Sequence, residues 1–177
     1  MINWMFYPRN SKAPEHILEI VKGFEAVSES VDSEKLAKKD QPSSNEVLEK
    51  MEPYLTSLGY EVEKSKAAED KIRIPVYYGS NGSETVAYEV DAYLDTKKTV
   101  IEVEAGQATI NYKFLKDFYE ACLMDDIDYL CIAVCNEYKY GTNQHSFDFK
   151  KVTEFFDAMY MSNRVSIPLK GILIVGY

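Results

Sequence analysis

A strand, an amphipathic helix and a second strand follow one another between residues 99 and 134, and their spacing leaves little freedom of architecture. Residues 99–108 (TVIEVEAGQA) open as a strand, with Val100, Ile101 and Val103 supplying β-branched apolar side chains. Residues 109–124 (TINYKFLKDFYEACLM) carry Phe114, Leu115, Phe118, Ala121 and Cys122 as an apolar stripe at helical spacing. Residues 128–134 (DYLCIAV) read as a buried strand. A strand–helix–strand unit of this length predicts a right-handed parallel crossover. A strand in such a unit is normally covered on both faces. Glu102 and Glu104 nevertheless lie inside the first strand. Residues two apart point to one face, so two carboxylates project together from an apolar element.

The flanking pattern predicts an α/β fold: one domain with a mixed β-sheet flanked by helices. Residues 2–7 read as a short strand ended by Pro8, and 14–28 as a helix with Ile17, Leu18, Val21 and Phe24 on one face. The polar segment 29–43 reads as a mobile loop with at most one helical turn. Residues 43–59 read as a helix. Ser43 and Glu46 have the capping-box spacing, Pro53 argues for a kink, and Gly59 suits the C-terminal cap. Strands are expected at 60–64 and 71–78, with turn chemistry at 79–83. A period-two strand follows at 85–95. A helix at 147–161 and a buried strand at 170–177 close the chain.

If the loop between the strands at 85–95 and 99–104 has two residues or four, opposed positions sum to 193. Asp91 then faces Glu102, Glu89 faces Glu104, and the acids converge within roughly 5 Å of one another. A loop of three or five residues breaks that register. Clustered carboxylates repel and are costly to bury unless something compensates. One compensation is a divalent cation. Oxygen ligands without clustered His or Cys suit Mg²⁺ or Mn²⁺. The other reading is a half-exposed strand whose glutamates face water opposite Lys or Arg.

The 177 residues suffice for one domain with a core, and 46% hydrophobic and 28% charged residues are ordinary for a globular protein. No apolar run of about 18 residues is present, and the first ten residues lack signal-peptide order, so a cytoplasmic protein with no membrane partner is expected. Cys122, Cys131 and Cys135 have apolar neighbours and read as free thiols; with only His16 and His145 beside them, a zinc site is rejected. The net charge of −9 disfavours non-specific nucleic-acid binding, unless Lys97, Lys98, Lys113, Lys116 and Arg164 form a local basic patch.

A helix bearing an acidic residue, a hairpin carrying Asp and then Glu-x-Lys, then helix and strand, is the order of the PD-(D/E)xK, or restriction-endonuclease-like, nuclease superfamily. This chain resembles it over roughly residues 44–136. The matching residues are Glu46 in SSNEVLEK, Asp91 in YEVDAYLD and Glu102-Val103-Glu104 in VIEVEAG. The resemblance implies an αβββαβ core at 44–136, an N-terminal helical and loop extension at 1–43, and a C-terminal helix and strand at 137–177. It implies a metal-dependent DNA endonuclease in which Asp91, Glu102 and the Val103 carbonyl bind Mg²⁺ or Mn²⁺. Glu104 orients or deprotonates the attacking water. Glu46 either helps hold the metal's water shell or only closes the capping box. Glu104 stands where the family has lysine. Either the site works with Glu, or Lys113 reaches it from the next helix, or the site is inactive and the fold binds a partner or regulates. Lys113 is otherwise a solvated helix residue. Gln107 and Asn111 are candidates for phosphate contact or for capping the helix, and Tyr138 and Tyr140 for stacking on bases. The implied partners are DNA, or RNA, and a second copy of the chain, because cutting both strands takes two sites.

Overall fold

The computed structural model describes residues 1–177 except Lys66, Ala68, Glu69 and Gln107, together with the side chain of Asn111. In chain order the elements are β1 (Asn3–Tyr7), α1 (Glu15–Ala26), α2 (Ser28–Val31), α3 (Ser44–Ser57), β2 (Glu61–Val62), β3 (Ile72–Tyr78), β4 (Glu84–Val90), β5 (Ala92–Leu94) and β6 (Thr99–Glu104). They continue with α4 (Lys113–Leu123), β7 (Tyr129–Val134), β8 (Tyr138–Tyr140), β9 (Gln144–Ser146), α5 (Asp148–Ser162) and β10 (Gly171–Gly176). Six strands form a mixed sheet in the order β1-β10-β7-β6-β5-β2. The centre is parallel, β6 with β7 and β7 with β10, and the flanks β1, β5 and β2 are antiparallel. The α/β class and single mixed-sheet domain expected from the sequence are the observed fold.

The alternation of side chains along the central strands divides the core in two. Ile101, Val103, Cys131, Ala133, Leu173 and Val175 face α1 and α3, which contribute Ile17, Phe24, Val47, Met51 and Leu55. Val100, Leu130, Ile132, Val134, Ile172 and Ile174 face α4 and α5, which contribute Phe114, Phe118, Val152 and Phe156. Both faces are therefore covered, as buried parallel strands require. From α3 onward the sheet elements run α3, β2, β5, β6, α4, β7, which is the αβββαβ order once β3 and β4 are set aside as a separate two-stranded ribbon.

The ribbon marks the first departure from the sequence reading. The strand expected at 85–95 is broken at Asp91: β4 pairs with β3, and β5 pairs with β6 and β2. Glu89 consequently lies opposite Arg73, with its carboxylate 3.6 Å from Lys71, and not opposite Glu104. The physical reason lies in one hydrogen bond. In an unbroken ladder Val90 would face Val103; instead the Asp91 side chain takes the Val103 N–H at 2.7 Å. The Asp91 carbonyl meanwhile accepts from Glu63 N–H at 2.8 Å, extending the β2–β5 pairing by one residue.

Segment 29–43 departs as well. It holds α2 and a 3₁₀ turn at Lys38–Asp40, and Asp32 and Ser33 are buried. Lys139 Nζ donates to the carbonyls of Ser33, Glu34 and Leu36 at 3.0, 2.8 and 2.8 Å. Gln41 donates to the Ser33 and Glu137 carbonyls at 2.8 and 2.7 Å. A polar composition thus hides an anchored segment, because its partners lie a hundred residues away. The helix expected at 109–124 begins as a 3₁₀ turn over Ile110–Tyr112, and Tyr112 adopts a left-handed φ of 54° before α4 starts. No helix among the described residues is long and apolar enough to cross a membrane.

Candidate active site

The β5–β6 connection is Asp95–Lys98, a four-residue loop with Lys98 left-handed at φ 50°. It sets the register Ala92↔Ile101, Tyr93↔Val100 and Leu94↔Thr99, each pair summing to 193. Asp91 therefore lies one step beyond the ladder, on the face and at the level of Glu102. That face carries Val100, Glu102 and Glu104, and α4 covers it. α4 buries Phe114, Asp117, Phe118 and Ala121 toward the sheet. An aspartate thus stands on the apolar stripe of a helix, directly over a strand that bears two glutamates.

Three elements consequently bring four acids together. Asp91 comes from the β4–β5 break, Glu102 and Glu104 from β6, and Asp117 from α4. Asp91 and Asp117 feel the charge of Glu104, and Glu102 feels those of Asp91 and Asp117. Burial pushes the Asp91 carboxyl up to about 6; the Val103 N–H opposes this, and Glu63 and Glu104 add to it. Burial also raises Glu102 well above the usual carboxylate range, helped by the charges of Asp91 and Asp117. Glu104 is raised by burial, while Lys113 and Lys116 pull it back. Asp117 is pushed up to about 7, by burial first and then by Glu104. Its Oδ2 has no hydrogen-bond partner among the described residues, and the residue is 9% exposed.

Basic groups flank the acids without neutralising them. Lys113 and Lys116 stand on α4 beside Glu104, and Lys116 is 3.1 Å from Glu120. On the other side, Lys71 pairs with Glu63 at 2.8 Å and favours the ionised form of Asp91. The remaining lysines and the arginine considered for a basic patch do not join it. Lys98 pairs with Asp95 and Asp126 at 3.0 and 2.8 Å, at the opposite end of β6, and Lys97 lies in the same loop. Arg164 follows the far end of α5, whose first residue, Asp148, adds its charge to the surroundings of Glu104.

Glu46 is in the capping box of α3. Its carboxylate accepts from Ser43 N–H and Ser43 Oγ, both at 2.7 Å, and is held below its ordinary pKa by those bonds while exposed to water. It does not join the four acids. Gln107 lies outside the described residues, as does the Asn111 side chain. Tyr138 and Tyr140 stack on each other, with ring centroids 5.6 Å apart. Tyr138 also covers Gly106, just past β6. Gly106 has φ +76°, and a Cβ there would lie 2.1 Å from the ring, so only glycine fits.

A second polar knot lies at the same end of the sheet. Thr109 Oγ1 donates to Asp148 Oδ1 at 2.9 Å, Ser146 donates to the same oxygen, and Lys151 Nζ reaches Ser146 Oγ at 2.9 Å. Tyr177 Oη donates to the Glu104 carbonyl at 3.0 Å. This last contact ties down the strand end that carries Glu104. Cys131 and Cys135 are buried free thiols, and Cys122 is a half-buried one.

Among the described residues no three His, Cys, Asp or Glu side chains stand close enough together to hold a metal ion. The donor set fits a hard cation on other grounds. Mg²⁺ takes one or two protein carboxylates and completes its octahedron with water and phosphate. Asp91 and Glu102 supply two carboxylates. A strand residue turns its N–H and C=O toward the same neighbour, so the Val103 carbonyl faces the edge where Asp91 sits. The unpartnered Asp117 oxygen is the mark of a polar group awaiting a partner. No protein-family model matches the chain and no curated protein matches its sequence, so the functional reading rests on the geometry of this site.

Proposed function

We propose that this protein is a metal-dependent nuclease that hydrolyses phosphodiester bonds of DNA, its carboxylates holding Mg²⁺ or Mn²⁺. The observation that carries the reading is the placement of Asp91 one step beyond the β5–β6 ladder, at the level of Glu102, under a helix that buries a further acid and bears two lysines. Carboxylates buried near one another are costly unless something compensates. The resemblance to the PD-(D/E)xK superfamily agrees in the order of elements and in the positions of Asp91, Glu102 and Glu104.

Asp91, Glu102 and the Val103 carbonyl would hold the cation. When bound, it supplies Lewis-acid charge at the scissile phosphate and lowers the pKa of a water. Glu104, two residues on along the same face, accepts the proton of the attacking water as general base. Its raised pKa brings it nearer to the working pH, where a general base is most effective. Lys113 and Lys116 offer positive charge to the phosphate without neutralising the acids on β6. Asp91, held by the Val103 N–H, keeps its second oxygen free for the ion.

The test is cleavage of supercoiled plasmid in Mg²⁺ or Mn²⁺, expected for the wild type and absent in Glu102→Ala. A second reading, a nuclease-like fold without catalysis that serves as a partner-binding or regulatory module, draws on Glu104 at the lysine position and on the net charge of −9. It takes over if the purified protein neither binds Mn²⁺ nor cuts any form of DNA or RNA.

A further inference from the structure

Asp117 has no place in the motif that suggested the site. It sits in the middle of α4, three residues after Phe114 and four before Ala121, on the stripe that packs against the sheet. A charged residue there is normally paired. Asp117 is nine-tenths buried, and its Oδ2 meets no donor among the described residues. Lys116, its neighbour in sequence, is turned to Glu120 at 3.1 Å. The groups whose charge Asp117 feels are Glu104, Lys116, Glu120 and Asp91, and its own charge is felt at Glu102. Asp117 stands on the α4 stripe that packs against the face of β6 carrying Val100, Glu102 and Glu104, so its side chain belongs to the layer between helix and strand. Another acid in that layer, with no hydrogen bond of its own among the described residues, can accept hydrogen bonds from the hydration shell of a cation.

We propose that Asp117 is the helix-borne acid of the cation site, binding the metal through its water shell from above while Asp91 and Glu102 bind it from the sheet. The proposal rests on the nuclease reading for the presence of a cation, and adds a residue that reading does not contain. It fits a hydrated ion: Mg²⁺ keeps several waters, and each needs an acceptor. The acid on α3, Glu46, is locked in its capping box and is unavailable for this task.

The experiment is Mn²⁺ titration of the full chain by calorimetry, with water-proton relaxation to count the waters on the bound ion. Wild type, Glu102→Gln, Asp117→Asn, Asp117→Ser and Glu46→Gln are compared, each checked by thermal melting. Two substitutions at Asp117 differ in shape, so that loss of one to misfolding leaves the other readable. Removing an outer-shell partner typically weakens metal affinity roughly 10–100-fold. The expected result is that loss in both Asp117 variants, with altered relaxation per bound ion, no binding in Glu102→Gln and wild-type affinity in Glu46→Gln. Wild-type affinity and relaxation in the Asp117 variants, with binding still abolished in Glu102→Gln, overturns the role of Asp117 and leaves the nuclease reading standing. No Mn²⁺ binding by the wild type overturns both.

Discussion

Replacing Glu102 by Gln removes the carboxyl whose pKa burial raises furthest on β6, while keeping the side chain's shape. The expected outcome is a protein that melts at or above the wild-type temperature and no longer cleaves plasmid. The first half is read by calorimetric melting without metal, the second by a cleavage assay. Asp117 adds a pH dependence whose direction follows from its pKa near 7, against the ordinary carboxylate value near 4. The folded state binds this proton more tightly than the unfolded state. Stability from this group is therefore full below about pH 4 and falls as pH rises through 7, by on the order of 4 kcal/mol. Asp91, with a pKa near 6, acts in the same direction. In EDTA, melting temperature should fall between pH 4.5 and 7.5, and Asp117→Asn should flatten that fall. An equal slope in wild type and variant would contradict the placement. Asp91, Glu102 and Glu104 were legible because a strand's period is two and two acids broke an apolar run. Asp117 was not singled out, yet it left a signal: it stands between Phe114 and Phe118 on the helix's apolar stripe, where an unpaired charge is out of place.

The elements were mostly legible, and the exceptions share a cause. The strands at 99–104, 128–134 and 170–177, the helix at 43–59 and the cap at Ser43 followed from local periodicity and spacing. The break at Asp91 did not, because the alternation of 85–95 runs through it unchanged. What breaks the strand is a bond to a residue on another strand, Val103. The anchoring of segment 33–41 was hidden for the same reason. Lys139 closes it through three carbonyls, so Lys139→Met is expected to cost about 2 kcal/mol and to speed amide hydrogen exchange over residues 33–41. Ser43→Ala should cost about 1 kcal/mol through the lost cap and leave Mn²⁺ binding untouched. A matching change in Mn²⁺ affinity would place the start of α3 in the site after all.

At the scale of the whole molecule, the proposed function asks a chain of net charge −9 to approach a polyanion. Only Lys113 and Lys116 of the five basic residues considered for a patch stand beside the acids. Two phosphate contacts give a log–log salt dependence of DNA binding with a slope of roughly −2. A slope several times steeper would point to a different basic surface. Each chain carries one set of acids, so nicking of one strand is the activity expected of a monomer, with linear product rising as protein concentration favours pairs. All of this depends on a cation among Asp91, Glu102 and the Val103 carbonyl. Anomalous diffraction from crystals grown with Mn²⁺ tests it most directly. A manganese peak in contact with Asp91 and Glu102 is the expected result. No peak there, with Glu102 turned instead to Lys116, would contradict it.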